Sequence, residues 1–135
     1  MTIIGNGSKN KYNSFLLNNS KWYRDLTNRE VMEAMLSHDI LVLPSLHEGM
    51  SLATLEALSR GMAVLVTENC GTSDLLSHGK DGFVCKIRDT KSMVESLKDL
   101  REYRYLKSMG RAAIETGRKN NWSVYQKRLE EIIDD

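Results

Sequence analysis

Glu48 and Glu56 are two carboxylates separated by seven residues, and the residues between them make the pair chemically informative. Gly49 follows the first glutamate, and glycine permits a tight turn and close approach of a ligand to the backbone. Ser51 is a favoured helix N-cap type, and the segment Ser51 to Ser59 carries a helical pattern. A helix starting there directs free N–H groups and a positive dipole end outward, a good seat for a diphosphate. Glu56 lies five residues beyond Ser51, about 7.5 Å along the axis at about 1.5 Å per residue. A ligand with a sugar at one end, a diphosphate in the middle and a ribose at the other could meet both carboxylates. The plain alternative is that Glu56 pairs with a nearby arginine and Glu48 faces water, the usual fate of surface carboxylates. Position decides between them: the pair straddles a strand–glycine–helix junction, where open α/β sheets bind ligands.

The elements that must position this junction alternate along the chain. Thr2-Ile3-Ile4 reads as a short strand ending at Gly5-Asn6-Gly7, and Ser20 to Arg24 as a second. Asp39 to Leu43 and Ala63 to Thr67 are continuous apolar runs, the pattern of strands covered on both faces, and Gly82 to Lys86 is a shorter fifth strand. Helical patterns fall around Tyr12 to Leu17, Asn28 to Ser37 and Ser51 to Ser59, with one turn at Thr72 to Ser77. Beyond Asp89 the strands stop. Met93, Val94, Leu97 and Leu100 share a helical face with Asp89 or Thr90 as N-cap. A second helix follows near Arg104 to Arg118. Tyr125, Leu129, Ile132 and Ile133 then mark a final amphipathic helix. Strand–helix alternation with short connections implies a three-layer, Rossmann-like α/β domain with one parallel sheet wrapped by helices.

Composition narrows the function classes. The 135 residues carry 19 Lys plus Arg against 18 Asp plus Glu, a net charge of +1. A nucleic-acid binder normally carries a basic excess to displace counterions, so no nucleic-acid partner is expected. No apolar run approaches the roughly 20 residues of a membrane span, and the N-terminus lacks the pattern of a secretion signal. Two cysteines, Cys70 and Cys85, make neither a disulfide framework nor a metal motif. A cytoplasmic domain with reduced thiols, no metal and no cofactor is the expectation. Gly5-Asn6-Gly7-Ser8-Lys9 lacks the third glycine of a dinucleotide fingerprint and the Gly-Lys-Ser/Thr of a phosphate loop. His47 reads as a solvated loop histidine, and His38 and His78 lack metal-ligand partners at suitable spacing. Arg101, Arg104, Lys107 and Arg111 are interleaved with Glu102, so a solvated helix face explains them. The net charge lends little support to a membrane surface there.

The segment Glu48-Gly49-Met50-Ser51-Leu52-Ala53-Thr54-Leu55-Glu56 resembles the glutamate–seven residues–glutamate motif of retaining GT-B-fold glycosyltransferases of group 1. Its flanks agree. His38 to Ser45 is similar to the family's aspartate, apolar run and proline–serine lead-in, and Glu56 to Leu65 to its continuation. Asn69 to Leu76, Gly79 to Phe83, Met109-Gly110-Arg111 and Trp122-Ser123 follow in the family's order. The resemblance implies that residues 1–135 are the C-terminal, donor-binding half of a GT-B fold, incomplete at its N-terminus and lacking the acceptor domain. It implies that Glu48 lies near the donor sugar, that Gly49 belongs to the donor-binding loop, that main-chain N–H groups of Met50, Ser51 and Leu52 bind sugar and phosphate oxygens, and that Glu56 accepts from the ribose hydroxyls. It places Tyr23, Arg24 and Leu26 at the nucleobase and Gly5, Asn6 and Gly7 at the glycine turn opening the crevice.

Met50-Ser51 stands where the family more often has phenylalanine–glycine, Ala63 where it has proline, Arg24 glycine and Asp74 glutamate; both motif carboxylates are retained. The family's phosphate-neutralising Arg and Lys precede the glycine turn, and Met1 and Thr2 leave no room for them. The expected function is therefore that of the donor-binding part of an enzyme. That enzyme moves a sugar from a nucleoside-diphosphate sugar to a hydroxyl acceptor with retention, in polysaccharide biosynthesis, and this chain by itself is expected to be inactive. The alternatives are a nucleotide-sugar epimerase of the same fold and a non-catalytic nucleotide-sugar-binding or interaction module.

Overall fold

The structure, a computed structural model, describes residues 1–5 and 18–133. It divides into two compact units, Met1–Ser37 and His38–Asp135. The helical pattern around Tyr12 to Leu17 lies outside the described residues.

In the smaller unit, β1 (Thr2–Ile4) pairs in parallel with β2 (Lys21–Tyr23), Thr2 opposite Lys21 and Ile4 opposite Tyr23. Gly5 N donates to Tyr23 O at 3.2 Å, and the Trp22 indole N–H donates to Gly5 O at 2.8 Å, so the chain leaving β1 stays tied to β2. Helix α1 (Asn28–Met35) starts from a capping box. The Thr27 hydroxyl accepts from Glu30 N, while Glu30 Oε2 accepts from Thr27 N at 2.8 Å and from its hydroxyl at 2.7 Å. These bonds, the hydroxyl's first, hold the exposed Glu30 carboxyl below its usual value of 4.5.

The larger unit is built on a parallel sheet in the order β3 (Ile40–Leu43), β4 (Ala63–Thr67), β5 (Gly82–Cys85). Helix α2 (Leu52–Ser59) connects β3 to β4, and a short 3₁₀ turn, Gly71–Leu75, lies between β4 and β5. Three helices follow: α3 (Thr90–Asp99), α4 (Tyr103–Lys119) and α5 (Trp122–Ile133). Asp89 caps α3, its Oδ1 accepting from Ser92 N at 3.0 Å. Ala63, Leu65, Phe83, Cys85, Leu100 and Met109 form a buried cluster, with Ile40, Met93, Leu97, Tyr105 and Leu106 packed against it.

The strands pair in parallel and, among the described residues, lie in two sheets, one in each unit; apolar runs specify strands but not which edges pair. One expectation is corrected, that of a β3 covered on both faces. Only the central strand, β4, is buried at all five residues. β3 is an edge strand of its sheet, and its Val42 is 40% exposed despite the continuous apolar run.

Helix α2 ends in a Schellman motif: Met62 N donates to Ala57 O at 3.0 Å and Gly61 N to Leu58 O at 2.9 Å. Gly61 has φ +74°, which glycine adopts without strain. Helix α4 lies against this helix end through small residues. A Cβ on Gly110 would stand 2.5 Å from Gly61 O, and one on Gly117 2.8 Å from Ser59 N. Buried Asp81 fixes α4 to the approach to β5, its Oδ1 accepting from Ser77 N at 2.8 Å and its Oδ2 from the Thr116 hydroxyl at 2.7 Å. Helix α5 buries none of its residues.

Candidate functional site

β3 and β4 are parallel neighbours, so the loops following Leu43 and Thr67 leave the sheet at the same end. Side chains and backbone join those loops. The Thr67 hydroxyl donates to Ser45 O, and Asn69 Nδ2 donates to Leu46 O at 3.1 Å. Glu48 N donates to Asn69 O at 3.0 Å, and Gly71 N is shared between Glu48 O at 3.0 Å and Gly49 O at 3.1 Å. Glu48 and Cys70 thereby form an isolated parallel bridge beyond the strand ends. Gly71 allows the approach, since a Cβ there would lie 3.1 Å from Gly49 O. The main chain of Glu48 is held on both sides while its side chain is exposed.

From this anchored loop the chain enters α2. Ser51 is the N-cap and is buried, its hydroxyl accepting from Thr54 N at 3.4 Å. Its carbonyl accepts from Thr54 N at 3.1 Å and from Leu55 N at 3.2 Å. The N–H groups of Met50, Ser51 and Leu52 donate to no protein acceptor among the described residues. A helix start carries partial positive charge at these donors. The side chains of Met50 and Leu52 flank the turn, each about half exposed. Thr54 is fully buried, and its hydroxyl has no partner among the described residues.

Glu56 follows one turn further on and is half-buried. The plain reading gave its carboxylate to an arginine. Arg60 is the neighbour, yet its guanidinium donates to the main-chain oxygen of Glu56 at 3.0 Å. Among the described residues the ion pairs are Arg29–Glu33, Arg118–Glu115 and Lys127–Glu131, and none involves Glu48 or Glu56. Glu48, Gly49, Met50, Ser51, Leu52 and Glu56 are thus brought onto one anchored loop and helix start.

The remaining candidates belong to the smaller unit. Gly5 lies beside Tyr23 through the bond between them. Tyr23 is 43% exposed, and the Arg24 guanidinium stands 5.5 Å from the centre of the Trp22 ring. Asp25 turns the chain with φ +53° before half-buried Leu26. Asn6 and Gly7 lie outside the described residues. His47 is exposed, and no group of three metal-ligating side chains occurs among the described residues. Cys70 is fully buried, its Sγ 2.9 Å from the Thr72 hydroxyl.

Sequence reasoning missed the loop that holds Glu48, carried by Thr67, Asn69 and Gly71. Asn69-Cys70-Gly71 was a visible turn signal. Its contact partners lie more than twenty residues away, and spacing does not reveal them.

Solved glycosyltransferase structures of the GT-B fold share the fold of this chain. Anabaena Alr3699/HepE in complex with UDP superposes with a TM-score of 0.79 at 14% identity, over 99% of this chain and 40% of that one. A sucrose-phosphate synthase from Thermosynechococcus elongatus gives 0.78 at 13% identity, over 87% and 30%. The family model for glycosyl transferases group 1 matches residues 1–120, and the chain belongs to that family. An Escherichia coli UDP-Gal:alpha-D-GlcNAc-diphosphoundecaprenol alpha-1,3-galactosyltransferase is 37% identical over 76 residues, 56% of this chain and 18% of that protein. The sulfoquinovosyl transferase SQD2 of Arabidopsis thaliana is 33% identical over 97 residues, 69% of this chain and 19% of that protein. The chain thus spans about a fifth of the length of these relatives.

Proposed function

We propose that this chain is the donor-binding part of a retaining glycosyltransferase that takes its sugar from a nucleoside-diphosphate sugar. The observation that carries the proposal is the start of α2. There, among the described residues, Met50, Ser51 and Leu52 offer N–H groups without protein acceptors, between two carboxylates that form no ion pair. The donors suit the diphosphate. As the bond from the anomeric carbon to the leaving oxygen breaks, negative charge grows on that diphosphate, and fixed dipoles facing it lower the barrier without reorganising. Glu48 is assigned the opposite end, holding the donor sugar and stabilising positive charge at its ring, with no covalent bond to it. Glu56 is assigned the ribose hydroxyls.

Relatives support the donor class. The E. coli relative is named for the donor UDP-Gal, and the Anabaena protein was solved with UDP and with UDP-glucose. Tyr23, Arg24 and Leu26 of the smaller unit are assigned to the base, and Gly5, Asn6 and Gly7 to the glycine turn. The reaction as proposed uses no cofactor, because the substrate carries its own leaving group. Acceptor recognition is assigned to sequence beyond these 135 residues. A cytoplasmic place in surface-polysaccharide assembly fits the donor; no helix among the described residues is long and apolar enough to cross a membrane.

Titrating the labelled protein with UDP, GDP and ADP and following backbone amides tests the assignment. The amides of Met50, Ser51 and Leu52 are expected to move, saturably, with at least one nucleotide. Absence of any change from Glu48 to Glu56 with all three would overturn it.

A further inference from the structure

The exposed side of α4 carries a row of cations that the donor site does not use. Arg104, Lys107 and Arg111 recur at i, i+3 and i+7, so they line one face over about 10.5 Å at about 1.5 Å per residue. All three are exposed, and none forms an ion pair among the described residues. Tyr103 begins the row, 66% exposed, with Lys107 Nζ 5.5 Å from the centre of its ring. Together these four residues line a shallow, open depression.

Neighbouring carboxylates are committed elsewhere. Glu102 caps the helix, accepting from Arg104 N at 3.1 Å, and Glu115 pairs with Arg118 at 3.0 Å. From Tyr103 to Lys119 the helix holds five Lys and Arg against one Glu, whereas the whole chain has a net charge of +1. The positive charge is therefore concentrated on this face.

We propose that this face of α4 docks the protein on an anionic phospholipid surface. The depression has no wall beyond one helix, so it suits a plane of phosphates better than an enclosed small molecule. Tyr103 supplies an amphipathic ring beside the cations, the residue type that settles at headgroup depth. A single tyrosine offers no run of stacking platforms for single-stranded nucleic acid, which binds across several aromatic side chains. Each basic side chain near an anionic leaflet strengthens binding roughly fivefold, within a Debye length. The inference is independent of the transferase reading.

Sedimentation with vesicles of phosphatidylcholine alone, or of phosphatidylcholine and phosphatidylglycerol in equal parts, tests it at low and high salt. The protein is expected to sediment with the anionic vesicles at low salt, and to be released from them by salt and by neutral composition. The triple variant Arg104→Gln, Lys107→Gln, Arg111→Gln should lose at least about tenfold in partitioning. All three side chains are exposed, so unchanged circular dichroism will confirm that the variant folds. Arg118→Gln, whose arginine is already paired, should bind like wild type. Equal binding by wild type and triple variant, or none to anionic vesicles, would overturn the proposal. Tighter binding to an RNA oligonucleotide, lost in the same variant, would also overturn it in favour of a nucleic-acid surface.

Discussion

Glu30 shows how much one exposed side chain does when its partners are local. Its carboxylate closes the capping box of α1 and titrates below its usual value of 4.5 because Thr27 hydrogen-bonds the charged form. A depressed folded pKa means that the stabilisation is present above the unfolded value and is lost as pH falls through the folded one. Backbone chemical shifts of Asn28–Met35 should therefore lose helical character below pH 4.5, and Glu30→Gln should flatten that dependence. Ser51 is the equivalent device at the donor site. Ser51→Ala should cost about 1 kcal/mol of stability, readable in chemical denaturation. The Ser51 cap was read from the sequence; the Thr-x-x-Glu box at Thr27 carries an equally local signal, because a cap joins residues three apart, and was missed. Glu48 was legible as a motif member, but its anchoring was not, since Thr67, Asn69 and Gly71 reach it from another strand end.

Helices α2 and α4 show which packing the sequence encodes and which it conceals. The boundaries of α2, β4 and α3 agree with periodicity and caps to within a residue, because those signals are local. Gly110 and Gly117 fall inside the helical pattern, and nothing in their spacing says what they meet. Their role appears only in contact with Gly61 and Ser59, where a side chain has no space. Gly110→Ala gains about 1 kcal/mol of helix propensity but forces a Cβ to within 2.5 Å of a backbone oxygen. The clash should win, since the obstruction is backbone. A net loss of about 1–3 kcal/mol is expected, measured as a lowered midpoint in urea. Helix α5 is the converse. Its Trp122, Tyr125, Leu129, Ile132 and Ile133 form an apolar stripe by spacing, yet all are exposed. Its amides should exchange orders of magnitude faster than those of β4, because little burial opposes local opening. Protection of α5 equal to that of β4 in the monomer would contradict this.

At the scale of the whole molecule, the α/β class was legible because buried strands and helices alternate with short connections. Division of the strands between two sheets was not, since hydrogen-bonding edges leave no trace in composition. Family membership joins these levels: the model matches residues 1–120, while the structure shows what the two-glutamate segment is attached to. The central claim is that this segment binds a ribonucleotide through Glu56. Calorimetric titration of the wild type and Glu56→Ala, each with the best-binding nucleoside diphosphate and its 2′-deoxy analogue, tests that most directly. If the carboxylate accepts two ribose hydroxyls, its removal should cost about 2–4 kcal/mol, or about 30- to 1000-fold in affinity. The wild type should prefer the ribonucleotide, and Glu56→Ala should lose most of that preference while remaining folded. Equal affinity of the wild type for the ribo and deoxy forms would remove Glu56 from the ribose and contradict the account.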